Sequence, residues 1–200
     1  RDMERVPIRV LIVEDDDDFA YLIQDQLTRQ GDMEVAGRAR DRRGALALAQ
    51  SLEPQVVLMD LSLSAAQMDG VEAARDIRIA TGAKVVILTV YEDPKVVLEA
   101  SRRAFASGYV FKSQFALIPE TVRATARGTT PQEWMILSLI LDRLSPAERG
   151  VLDYILGRTP EPVSSPKTMA NQKTSILRKL GLHSQRDLLR VFRSLPALQE

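Results

Sequence analysis

Cysteine is absent from the 200 residues, which excludes a disulfide framework and any thiolate metal site. The absence also fits a reducing compartment. Histidine occurs once, as His183, so neither a histidine-ligated zinc site nor a histidine-based catalytic triad is supported. Its place near the end of an expected helix marks it as a surface residue. The unbroken apolar runs, such as Val10–Val13, are far too short to span a membrane. No charged-then-apolar signal opens the sequence, so a cytoplasmic protein with no membrane partner is expected. Repeats and low-complexity tracts are missing too. Nor does charge of one sign dominate, since Lys plus Arg and Asp plus Glu each number 27.

That balance hides a division. Residues 144–200 carry nine Lys/Arg against five Asp/Glu, a net +4, while residues 1–143 carry eighteen against twenty-two, a net −4. A basic end beside an acidic one points to a nucleic-acid partner for the basic part. With 45% apolar and 27% charged residues, the composition is that of a soluble globular chain long enough for two small domains.

The first 128 residues alternate between two periodicities. Near-continuous apolar runs predict strands at Ile8–Val13, Met33–Ala39, Val56–Asp60, Lys84–Thr89 and Gly108–Lys112. Apolar residues at helical spacing predict helices over Phe19–Gln30, Arg43–Leu52, Gly70–Ala80, Pro94–Ala106 and Ile118–Arg127. Five such units imply a doubly wound α/β fold with a five-stranded parallel sheet covered on both faces. The functional site of such a sheet lies beyond the C-terminal ends of its strands. Read there in order, the chain offers Glu14 and Asp15, then Asp60, Thr89 and Lys112. Clustered carboxylates repel one another unless a cation joins them, and oxygen ligands at a half-open site suit Mg²⁺. A carboxylate can carry an acyl phosphate while a hydroxyl and an ammonium hold the phosphoryl oxygens. Any one of these carboxylates could be only the N-cap of the next helix. All five side chains at the appropriate strands are not explained that way.

The segments LIVEDD, VVLMDLSL, VVILTVYED and GYVFKS resemble the receiver domain of bacterial two-component response regulators, and more narrowly the NarL/FixJ subgroup. The resemblance covers about residues 8–127 and implies a flavodoxin-like receiver, Mg²⁺ and a partner histidine kinase. By motif position it makes Asp60 the phospho-acceptor, Glu14 and Asp15 the acidic metal pair, and Ser62 a metal ligand through its backbone carbonyl. Thr89 matches the switch hydroxyl, Tyr109 the aromatic switch and Lys112 the phosphate-contacting lysine. It implies further that phosphorylation draws Thr89 in, turns Tyr109 inward, and leads to dimerisation or to release of an output domain. Two departures stand out. The family's Pro four residues after the acceptor is Ser64 here, and its Gly eight residues after is replaced by Gly70 at ten, so the loop after the third strand reads as two residues longer. An enzyme is not expected: an aspartate-based phosphatase needs a second carboxylate at position 62, where this chain has Ser.

Beyond the receiver, assigned to 1–128, a linker helix is expected within 129–143, over Gln132–Arg143, and a small all-α helix-turn-helix domain over 144–200. Ser145-Pro146-Ala147-Glu148 and Ser165-Pro166 open helices by capping, and Gly181 ends the second near Leu180. A last helix is expected at Leu188–Leu195. Leu144–Leu156 and Ser165–Leu182 resemble the LuxR-type helix-turn-helix, which implies binding to double-stranded DNA as a homodimer on two half-sites. On the second of these helices Met169, Ile176, Leu177 and Leu180 form an apolar face. Opposite lie Asn171, Gln172, Thr174 and Ser175, suited to base edges, while Lys167, Arg178 and Lys179 suit phosphates. A remodelled helical domain acting through protein or RNA binding is the alternative output. The scaffold helix that should precede the reading helix is missing. Only Arg158–Ser164, with two prolines, stands where it belongs. Either the domain is shortened or a stretch of sequence is lacking; the intact flanks favour the second.

Overall fold

The computed structural model describes residues 6–63 and 68–193. Strands β1 (Ile8–Val13), β2 (Met33–Ala39), β3 (Val56–Asp60), β4 (Lys84–Thr89) and β5 (Gly108–Phe111) form one parallel sheet in the order β2-β1-β3-β4-β5. This is the doubly wound order whose switch point lies between β1 and β3. Strand β3 is buried at all five positions, which is why its sequence reads as unbroken apolar residues up to Asp60.

Helices α1 (Asp17–Thr28) and α5 (Ile118–Arg127) cover one face of the sheet. There Ile23, Leu27, Ile118 and Val122 pack on Ile12, Leu58, Val86 and Leu88. Helices α2 (Arg42–Leu52), α3 (Asp69–Ala80) and α4 (Pro94–Arg103) cover the other. α1 lies two residues earlier than expected at both ends, and α2 and α3 each start one residue earlier. Two C-terminal ends also differ. β5 stops at Phe111, and Lys112 opens a tight 3-10 turn to Leu117, which lifts the lysine off the strand end. α4 stops at Arg103 because Phe105 takes a left-handed backbone, φ 52°, and turns its ring into the core.

The expected linker helix is α6 (Pro131–Leu141), N-capped by the Thr130 hydroxyl. It lies along α4 and β5. Its buried Glu133 pairs with Lys84 at 3.2 Å, and the Gln132 side-chain amide bonds both the N–H and the C=O of Tyr109. Helices α7 (Pro146–Ile155), α8 (Pro166–Leu180) and α9 (Gln185–Arg193) complete the chain. α9 begins three residues earlier than expected, and residues 194 and 195 of the expected span lie outside the described residues. α7 ends on Gly157 at φ 72°, a left-handed position that glycine adopts without strain. From there to Ser165 the chain runs in turns and bends with no helix, and α7 packs against α8.

The side of the core beneath α2, α3 and α4 does not stop at the receiver. Leu11, Val57, Ile77 and Phe105 belong to one apolar cluster with Ile140, Val151, Ile176, Leu188 and Phe192. No helix among the described residues is long and apolar enough to cross a membrane.

Candidate functional site

The switch point gathers the carboxylates. Glu14 and Asp15 leave β1 and Asp60 ends β3, and one carboxylate oxygen from each lies within 4.8 Å of the others. Such an oxygen-only set is the donor chemistry that suits Mg²⁺. Glu14 is fully buried and Asp60 nearly so. The Lys112 ammonium reaches both, 2.9 Å from Glu14 Oε2 and 3.3 Å from Asp60 Oδ2, and lies over the Phe19 ring. Backbone N–H groups add support: Ser62 N–H donates to Asp60 and Asp16 N–H to Glu14, each at 3.2 Å.

The electrostatics follow from this crowding. Burial is the largest influence on Glu14 and, with the neighbouring Asp60 charge, raises its pKa from 4.5 to about 7 against the lowering effect of Lys112. Asp60 is raised too, first by burial, with Lys112 opposing. On Lys112 burial acts downward, but its bonds to the two carboxylates outweigh that and hold its pKa above the usual value.

Thr89 is buried at the end of β4, where its hydroxyl accepts from Tyr91 N–H at 2.9 Å. Tyr109 is half-buried, packed on the α3–α4 side of the core with its ring 5.9 Å from that of Phe111. The Ser62 hydroxyl meets the Tyr91 hydroxyl at 3.4 Å, which adds Tyr91 to the rim of the site. Sequence reasoning passed over Tyr91, although its place two residues beyond Thr89 is a usable signal. Ser64, one of the two departures after the acceptor, lies outside the described residues, so the loop's extra length has no structural account. Gly70 does have one. A Cβ there would stand 2.0 Å from the Asp60 carbonyl oxygen, so only glycine lets α3 start this close to the acceptor. Met68 precedes it with φ 66°, a strained position for a residue with a side chain, and the Asp69 carboxylate accepts from Leu63 N–H at 2.7 Å.

In α8 the side chains named from sequence divide into two groups. Lys167, Asn171, Thr174 and Arg178 are exposed and Gln172 is half-buried. Lys179 instead pairs with the buried Glu148 of α7 at 2.6 Å, and the half-buried Ser175 sits near the same carboxylate. The outward surface of α8 is therefore narrower than the sequence pattern implied. His183 is exposed, as expected.

Residues 10–122 match the response regulator receiver domain, and the chain belongs to that family. It is 34% identical over 152 residues, 74% of its own length, to the transcriptional regulatory protein LiaR of Bacillus subtilis, covering 69% of that protein. A second B. subtilis protein, the uncharacterized transcriptional regulatory protein YxjL, is 37% identical over 135 residues, 63% of this chain and 57% of that protein. Among solved structures, the RcsB response regulator of Salmonella typhimurium shares the fold with a TM-score of 0.56 at 24% identity, over 94% of this chain and 98% of that one.

Proposed function

We propose that the chain is a phosphorylation-dependent, DNA-binding transcriptional regulator that accepts a phosphoryl group on Asp60 from a histidine kinase. The observation that carries this reading is the meeting of Glu14, Asp15, Asp60 and Lys112 at the switch point of the sheet. An Asp60 carboxylate oxygen attacks the phosphorus, and the bond to the donor's imidazole nitrogen breaks with its electron pair leaving on the donor. Lys112 faces the developing charge on the phosphoryl oxygens. Glu14, Asp15, Asp60 and the Ser62 backbone carbonyl would hold Mg²⁺, which supplies positive charge against those same oxygens. Thr89 and Tyr109 would carry the change onward, with Thr89 moving to the new acceptor oxygens.

The regulatory names of LiaR and YxjL, together with the basic C-terminal part, support DNA as the partner of α8. The exposed Lys167, Asn171, Thr174 and Arg178 would make the contacts, and a homodimer would span two half-sites. Incubation with a small-molecule phosphodonor and Mg²⁺ should add one phosphate by intact mass, and Asp60→Asn should add none; full labelling of that variant refutes the assignment. Footprinting with and without phosphorylation tests the DNA half. Protection unchanged by phosphorylation counts against it.

A further inference from the structure

The helix α8 is held from two sides, by α7 through the Glu148–Lys179 pair and by the receiver. Helix α3 of the receiver holds its C-terminal end. The Arg75 guanidinium donates to Leu180 O at 2.9 Å and Gly181 O at 2.7 Å, the last carbonyls of α8. It also donates to Arg103 O at 2.6 Å and stacks on Phe105, 4.9 Å from the ring centroid. Gly181 is fitted to this grip: at φ 66° it is left-handed, and a Cβ there would press to 2.8 Å from the guanidinium. One turn along α3, Arg78 is wholly buried and donates to Ala83 O at 2.9 Å and to Val191 O of α9 at 2.8 Å. From α9, Arg190 returns the arrangement, donating to Ile79 O at 3.2 Å at the end of α3. The guanidinium groups of Arg75 and Arg190 meet the negative ends of α8 and α3, where cations are stabilising. A buried guanidinium without such partners would be costly, so Arg78 requires α9 in place. The exposed side chains of α8 stay open to solvent with α3 attached.

We propose that α3 braces the C-terminal end of α8 while α7 packs along its length: Arg75 and Arg78 are positioning residues for DNA recognition, and receiver and C-terminal helices act as one DNA-binding unit. The proposal rests on α8 being the reading helix. It also ties DNA binding to the phosphorylation site through a single helix. α3 begins at Asp69 and Gly70, which bond Leu63 and Leu61 directly after Asp60.

Arg78→Met removes a fully buried group and can unfold the chain, so Arg75→Ala in the full chain carries the test. Two readouts are taken: the ratio of specific to random-sequence DNA affinity, and amide hydrogen exchange along Ile176–Leu182. In Arg75→Ala the ratio should fall at least about tenfold, the size expected for losing charge-assisted hydrogen bonds, with random-sequence affinity little changed. Exchange at the end of α8 should accelerate, Arg75→Lys should restore part of both, and Asp60 should still take one phosphate by intact mass. An unchanged ratio and unchanged exchange would overturn the proposal. Should the unaltered protein prefer no DNA sequence, the reading of α8 fails, and exchange alone then decides whether α3 supports it.

Discussion

At the scale of single residues, Glu14 is where burial and charge compete. Its folded pKa of about 7 stands above the ordinary 4.5, so its protonated form is favoured in the folded state. The stability this group contributes is present below about pH 4.5 and lost as pH rises through about 7. A divalent cation held by the carboxylates needs the ionised form, so its binding should strengthen over the same interval. Melting temperatures with and without Mg²⁺ should therefore diverge more at about pH 8 than at about pH 5.5. An Mg²⁺ effect of equal size at both would remove Glu14 from the metal set.

At the scale of elements, α7 and α8 are joined through Glu148. Its carboxylate closes the capping box with Ser145 and also takes Lys179. Burial alone would raise its pKa, but these bonds prevail and hold it at about 2. The stability it provides is complete above about pH 4.5 and is lost as pH falls through about 2. Glu148→Gln keeps the shape and loses the charge. We expect it to cost about 1 kcal/mol at neutral pH, modest because Lys179 is partly solvated, and to flatten the acid limb of the pH–stability curve. Unaltered acid sensitivity would show that Glu148 does not hold the two helices together.

The capping box and the strand runs were legible in the sequence because each is a local pattern: a hydroxyl three residues before a glutamate, or apolar residues unbroken up to Asp60. The acidic site was legible because the strand order converts such local ends into one neighbourhood. What Lys179 and Ser175 face was not legible, since helical periodicity gives the angle around α8 and not the partner set against it. Arg78 carried a usable signal. It stands four residues after Ala74 and seven after Val71, on the buried side of α3, where a charged side chain demands a partner.

At the scale of the whole molecule, the apolar cluster beneath α3 runs without a break from Leu11 to Phe192. Two domains joined by a free linker would melt separately, whereas a shared core couples them. Calorimetry should therefore give one cooperative transition with equal calorimetric and van't Hoff enthalpies. Two resolved transitions would separate the receiver from the C-terminal helices. The helix α6, expected to bridge two bodies, is built into this core through Ile136, Leu137, Ile140 and Leu141.

The same helix settles a problem that every open sheet faces. β5 is an edge strand, and an edge strand displays amide and carbonyl groups that invite pairing with another chain. Here the carboxamide of Gln132 occupies both groups of Tyr109, in the manner of a neighbouring strand one residue long. Gly108 leaves the room for it, because a Cβ at that position would stand 2.7 Å from the Gln132 oxygen. A single side chain thus occupies, at Tyr109, the edge groups of β5 that a neighbouring strand would otherwise take.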